Sequence, residues 1–155
     1  MDRYSKRKRS EVMSAVKSKG TKLENKFKLE LDVRGIKGYK QNCMEIYGHP
    51  DFVFKKAKIA IFLDSCFWHG CSKHLRMPSI HQDYWESKIE RNRKRDRTAS
   101  KELRSKDWRV IRIWEHSLNN PKTLQWWLTR IKNLADLGRL RKNSTGIHPR
   151  AEPTP

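Results

Sequence analysis

His49-Pro50-Asp51-Phe52-Val53-Phe54, followed after a short basic link by Ile59-Ala60-Ile61-Phe62-Leu63-Asp64, is the stretch that decides the fold. Gly48-His49-Pro50 is a turn, and Asp51-Phe52-Val53-Phe54 leaves it as an extended segment. Ile59 to Leu63 is a continuous apolar run, the pattern of a strand buried on both faces. Two neighbouring strands can then bring Asp51, at the start of one, beside Asp64, at the end of the other. Outward from this pair, Tyr39 to Cys43 is a weaker strand. Thr21-Lys22-Leu23-Glu24 fits a capping box, opening a helix with an apolar stripe of Leu23, Phe27 and Leu31 that ends near Gly35. A short helix is expected after Ser10, carrying Val12, Met13 and Val16. A long helix is predicted from about Asp83 to Ser105, a strand over Trp108 to Trp114, and a last helix from Pro121 carrying Leu124, Trp127, Leu128, Ile131 and Leu134. The order makes an α/β or α+β domain with a mixed central sheet flanked by helices. Residues 1–9 read as a basic flexible arm, 10–137 as the folded domain, and 138–155 as a basic, disordered tail.

The chain has 155 residues, enough for one ordinary domain, and 35% of them are hydrophobic. No apolar run approaches the ~20 residues that span a bilayer, and DRYSKRKRS after Met1 is no secretory signal. An intracellular location is the default. Lys and Arg number 36 against 17 Asp and Glu, a net charge of +19. That excess attracts a polyanion, nucleic acid first, with an affinity that falls steeply with salt. Charge alone does not separate a nuclease from a passive ribosomal-type binder. Membrane-surface binding fits less well, because no long helix pairs a basic face with a broad apolar one.

Asp51 and Asp64 are hard-oxygen ligands suited to Mg²⁺, which orients a water and stabilises charge on a phosphate. A Pro-Asp with a second acid on the next strand is the skeleton of the PD-(D/E)XK nucleases. Their lysine two positions after the second acid is absent, since Cys66 stands there. Taken alone, Pro-Asp is common, and Asp51 reads more often as a turn residue.

Cys66-Phe67-Trp68-His69-Gly70-Cys71-Ser72-Lys73-His74 carries further chemistry. Cys66, Cys71 and His74 are soft or borderline metal ligands, and His116, just past a strand, can close a Cys₂His₂ zinc set. The alternative is buried thiols and surface histidines. The three cysteines, with Cys43, argue against a disulfide framework. His69 is a rival ligand, or an acid or base beside the acidic strand end. Phe67 and Trp68 are adjacent and do not both fit one core. An outward ring on a basic protein stacks on bases or wedges between them. Trp85, on a helical stripe with Ile89, reads equally as core. Asn92 and Asp96 fall on the sheet-facing stripe of the long helix, where a buried Asp needs a partner. Arg91, Arg93, Lys94, Arg95 and Arg97 around them read as a solvated basic face.

The series His49-Pro50-Asp51-Phe52-Val53, Ile61 to Cys71, Met77-Pro78, Tyr84 to Ile89, Asn92 with Arg95-Asp96, and Trp108 to Glu115 resembles the core of the very-short-patch-repair (Vsr) endonucleases. Ser10-x2-Met13 and Thr21-x2-Glu24 match as well, so the likeness covers roughly residues 7–130. The resemblance implies a restriction-endonuclease-like core with a structural zinc held by Cys66, Cys71, His74 and His116. It implies a nick 5′ to the thymine of a T·G mismatch left by deamination of 5-methylcytosine. Asp51 would be the central Mg²⁺ ligand and His69 the general acid or base. Glu24 would support the site from the first helix, in competition with its capping role. Phe67, Trp68 and Trp85 would wedge into the duplex, with Met13 acting from the opposite groove.

Family members differ at some of these positions. Where some carry histidine, this chain has Asp64, which leaves open direct metal ligation or orientation of a water. Leu63 offers only its backbone carbonyl, and Asn92 and Asp96 are candidates for holding the active site. The expected partners are mismatched duplex DNA and, functionally, a cytosine-5 methyltransferase. The expected state is a monomer, in the nucleoid-associated cytoplasm of a bacterium. A related nuclease with another DNA target and a non-catalytic, zinc-containing DNA-binding module are the competing readings.

Overall fold

The computed structural model describes residues 21–144, with side chains described as far as residue 138. The basic arm, the helix expected after Ser10, Met13 and residues 145–155 lie outside the described residues. Helix α1 spans Lys22–Val33. Its capping box forms as the sequence predicts: Thr21 Oγ1 accepts from the Glu24 N–H at 3.2 Å, and Glu24 accepts from the Thr21 N–H at 3.3 Å. Phe27 and Leu31 are fully buried and Leu23 packs beside them. Gly35, at φ +65°, ends the helix, and the Ile36 N–H returns to the Leu31 carbonyl at 2.9 Å.

The sheet has four strands in the order β1 (Lys40–Gln41), β2 (Phe52–Phe54), β3 (Ile59–Asp64), β4 (Arg109–Trp114). The first two pairings are antiparallel, whereas β3 and β4 are parallel. All six residues of β3 are buried, as its unbroken apolar run predicts. The first strand is shorter than the Tyr39–Cys43 segment expected, because Asn42 turns into the left-handed region at φ +50° and ends the extension. Its N–H still reaches the Asp51 carbonyl, at 3.0 Å, and so ties the loop to the start of β2.

Helices cover both faces. On one, α1 and the last helix, α4 (Pro121–Ser144), bury Phe52, Phe54, Ile59, Ile61, Ile111 and Ile113 against Phe27, Leu128 and Ile131. On the other, α2 (Gln82–Ser105) places Leu103 against Val53, Ala60 and Phe62, with Cys43 and Ile46 from the loop before β2. A short helix α3 (Glu115–Asn119), not foreseen from the sequence, follows β4 directly.

The last helix corrects the expected boundary at residue 138: it runs on to Ser144. Gly138 is a packing contact inside that helix. A Cβ there would stand 2.3 Å from the Ala57 Cβ and 2.5 Å from the Ala57 Cα, so glycine lets the helix lie against the 3₁₀ turn Lys55–Ala57. No helix among the described residues is long and apolar enough to cross a membrane.

Candidate active site

The C-terminal end of β3, the turn before β2 and the cleft-facing side of α2 surround a cavity of about 1080 Å³. Glu24, Asp51, Asp64, Trp68, His69, Asn92 and Asp96 all line it. The antiparallel β2–β3 register brings Asp51 to β3: its Oδ2 accepts the Leu63 N–H at 2.7 Å. Burial pushes the Asp51 carboxyl up to about 6, and the negative charges of Glu24 and Asp64 add to that, against the Leu63 hydrogen bond and His69, which lower it. A carboxylate held among other acids in a half-dry cleft is short of a cation. Glu24 keeps its capping bonds and is buried at the cleft wall, so the two roles considered for it are compatible in space.

Asp64 lines the same cavity and is engaged by an arginine. Both of its oxygens accept from Arg112, Oδ2 from Nε at 2.7 Å and Oδ1 from Nη2 at 2.5 Å. His69 sits between two acids, its Nδ1 2.6 Å from Asp96 Oδ2 and 3.6 Å from Asp64 Oδ1. Burial would raise Asp96, but the His69 hydrogen bond and the positive Arg112 and Arg95 outweigh it and hold the carboxyl below its ordinary value. An ionised Asp96 bonded to Nδ1 selects the tautomer with Nδ1 protonated and leaves Nε2 to exchange a proton with a substrate.

The loop Cys66–Cys71 leaves β3 immediately after Asp64. Helix α2 braces it twice: Asn92 Nδ2 donates to the Trp68 carbonyl at 2.9 Å, and Arg93 Nη2 to the Gly70 carbonyl at 2.5 Å. Arg93 thus departs from the solvated face expected for it. Gly70 is at φ +67°, and a Cβ there would stand 2.6 Å from Arg93 Nε, so this turn requires glycine. Glu115, the first residue of α3, closes the loop, its Oε2 accepting from the Cys66 N–H at 3.0 Å and from Ser65 Oγ at 3.3 Å.

Cys66, Cys71, His74 and His116 converge, their ligand atoms all within 4.8 Å of one another. Cys66 Sγ lies 3.3 Å from His116 Nδ1, Cys71 Sγ 3.5 Å from His74 Nδ1 and 3.7 Å from His116 Nδ1. Bonds of about 2.3 Å to sulfur and about 2.0–2.1 Å to nitrogen at tetrahedral angles separate S from N by about 3.6 Å. The donor set therefore fits one zinc ion, and His69 stands apart from it, bonded to Asp96. Burial pushes the Cys66 thiol up, with Cys71 beside it, a condition that a bound dication reverses.

Phe67, Trp68 and Trp85 form one cluster with ring centroids 5.0, 5.4 and 6.0 Å apart. All three are half-buried and none belongs to either core. Trp85 therefore packs on the loop aromatics and not under the sheet. Lys88 lies 5.7 Å from the centre of the Trp68 ring.

These features are those of a known lineage. The family described as DNA mismatch endonuclease Vsr matches residues 1–75. The DNA mismatch endonuclease Vsr of Escherichia coli is 31% identical over 124 residues, 79% of this chain and 79% of that protein. The chain belongs to the Vsr family. Other similar Vsr-like relatives are the type II nicking enzyme V.NaeI of Lentzea aerocolonigenes, 40% identical over 70% of this chain and 68% of its own length, and the type II nicking enzyme V.HpaIIP of Haemophilus parainfluenzae, 40% identical over 79% of this chain and 89% of its own. The protein is thus a DNA endonuclease of the Vsr family.

Three site residues of this Vsr-family chain escaped the sequence reading: Arg112, Glu115 and Arg93. A signal existed for Arg112. It alternates with Ile111 and Ile113 on a strand covered on both faces, and a cation there needs an acid. Glu115 closes the Vsr-like stretch Trp108 to Glu115, but an acid after a strand announces no role of its own, and Arg93 is one basic residue among many.

Proposed function

We propose that this endonuclease nicks one strand of duplex DNA, 5′ to the thymine of a T·G mismatch of the kind that deamination of 5-methylcytosine leaves. One observation carries the reading: the loop Cys66–Cys71 holds both the wedge rings Phe67 and Trp68 and the imidazole of His69. A base step opened by the rings therefore lies within a residue or two of the proton-transfer group. Unstacking costs a few kcal/mol, and less at a mispair than at a matched pair, so the same rings favour the damaged step.

Asp51 would hold Mg²⁺, with the Leu63 backbone carbonyl alongside. When bound, that ion supplies charge stabilisation for the phosphate and a template for the water. Asp64, engaged by Arg112, acts as a neighbour of the site by its charge. The His69 Nε2 exchanges the proton as the water oxygen bonds to phosphorus and the P–O bond to the leaving strand breaks. Asp96 holds His69, and Asn92 holds the loop that carries it. Cys66, Cys71, His74 and His116 would bind the structural zinc. One mispair lacks two-fold symmetry, so a monomer suffices, and a cytosine-5 methyltransferase that creates the deamination-prone base is the functional partner. The names of the relatives as nicking enzymes support single-strand cleavage.

The experiment is nicking of T·G, T·A and C·G duplexes of one sequence, with and without Mg²⁺. Mg²⁺-dependent cleavage of the T·G duplex alone is expected. Equal cleavage of all three would contradict the mismatch reading.

His69→Ala is expected to lower the single-turnover rate ~10²–10⁴-fold, the usual worth of general acid–base catalysis, with zinc content unchanged. Loss of zinc in that variant would make His69 a ligand instead. Trp68→Ala is expected to lower the preference for T·G over matched duplex while salt-dependent nonspecific binding persists, since phosphate contacts carry the latter. Competition binding at two salt concentrations measures this; equal losses on both duplexes would show a merely structural ring.

A further inference from the structure

Arg112 reaches the site from β4, a strand that contributes no group to the chemistry just described. In the parallel register Arg112 lies opposite Phe62, and Trp114 opposite Asp64. Ile111 and Ile113 turn into the core beneath α1 and α4, so alternation sends Arg112 to the α2 face. There its guanidinium carbon sits 4.9 Å from the centre of the Phe62 ring. Its Nη2 lies 2.5 Å from Asp64 Oδ1 and 3.2 Å from Asp96 Oδ2. Asp64 belongs to β3 and Asp96 to α2, and His69 is the imidazole between them. Two carboxylates this close repel unless a cation lies between them. No lysine stands two positions after Asp64, where this chain has Cys66, so the cation between the two acids comes from elsewhere. Here the neighbouring strand brings it.

We propose that Arg112 is a positioning residue: its guanidinium ties Asp64 to Asp96 and thereby fixes the orientation in which His69 meets the reacting phosphate. The fork geometry of arginine suits a tie between two carboxylates better than the single ammonium of lysine does. A direct phosphate contact is the rival role. Against it, Nη1, the guanidinium nitrogen without a hydrogen-bond partner, is buried.

The proposal rests on His69 acting in the reaction, so one arm of its test is read without catalysis. In the full-length, DNA-free protein, proton NMR would follow the His69 Nδ1–H resonance, assigned by its loss in His69→Gln. Arg112→Met is expected to shift or abolish that resonance, while Arg112→Lys retains it. In single-turnover nicking at saturating enzyme, Arg112→Met is expected to lose ~10²-fold, the lower range for a displaced acid–base group. Arg112→Lys is expected to lose about 10-fold. Affinity for uncleaved duplex should stay close to wild type in both. An unchanged resonance and saturated rate in folded Arg112→Met would overturn the proposal. So would lost affinity with the saturated rate intact, which marks a phosphate contact. If Arg112→Met does not fold, Arg112→Lys decides, and a wild-type saturated rate in it would overturn the tie. A wild-type protein that nicks none of the duplexes would sink the functional reading instead, and the resonance would still decide the role of Arg112.

Discussion

Asp51→Asn protein, folded and zinc-loaded, is expected to bind a T·G duplex at least as tightly as wild type and to nick it at a rate below detection, a loss beyond ~10⁴-fold. The substitution keeps the size of the side chain and an oxygen able to accept the Leu63 N–H. It removes a negative charge from the cleft, where Asp64 is already taken by Arg112 and Asp96 by His69. Without a cation a carboxylate repels phosphate, so binding is spared while hydrolysis is lost.

The same group makes a pH prediction. In the fold Asp51 titrates at about 6, above its ordinary 3.8, so folding favours the protonated form. Below the ordinary value the group is neutral in both states and costs nothing. As pH rises from there through about 6, the unfolded chain ionises first and folded stability falls. Above that window the full cost remains, on the order of 2–3 kcal/mol for a shift of about two units. Asp51→Asn is therefore expected to raise the melting temperature of Mg²⁺-free protein at pH 7.5, and to raise it about half as much at pH 5. Melting curves of the two proteins at both pH values check it; a variant less stable than wild type at pH 7.5 would contradict the burial argument.

Zinc removal is the other large effect expected. Structural zinc sites are worth apparent energies of about 10–16 kcal/mol in small peptides, comparable with the ~5–15 kcal/mol that holds a whole domain together. The proposed ligands lie on the loop after β3 and at the start of α3, so a bound zinc would fix the segment that carries Phe67, Trp68 and His69. Protein purified without chelator is expected to hold one zinc per chain. Chelation, or Cys71→Ser, is expected to abolish the cooperative thermal transition or lower it sharply, and to abolish nicking. Elemental analysis with thermal melting tests this: an absence of stoichiometric zinc, or melting unchanged after its removal, would contradict the assignment.

The parts of this architecture that are local were legible in the sequence. The apolar run Ile59–Leu63 is the central buried strand, and Thr21 with Glu24 does cap α1. What depends on long-range packing was not. Gly138 resembles a helix stop by composition, yet its missing side chain is what admits Ala57. Asn42 ends β1 by its backbone angle, which no periodicity announces. In the site, the sequence brings Asp51 and Asp64 to adjacent strand ends, and the structure places them there. The hydrogen-bonding partners of half-buried Asp96 lie outside the basic residues around it on α2: His69 comes from the loop after β3 and Arg112 from β4. Such partners become visible only once the β3–β4 register is known.

In the proposed reaction, rings and imidazole on one loop deliver one phosphodiester of a T·G mispair to Asp51. End-labelling each strand of a T·G duplex in turn and mapping the Mg²⁺-dependent product tests it most directly. A single nick is expected, in the thymine strand, immediately 5′ to the mispaired thymine, with the guanine strand intact. Cleavage of both strands, or a nick placed without regard to the mispair, would contradict it.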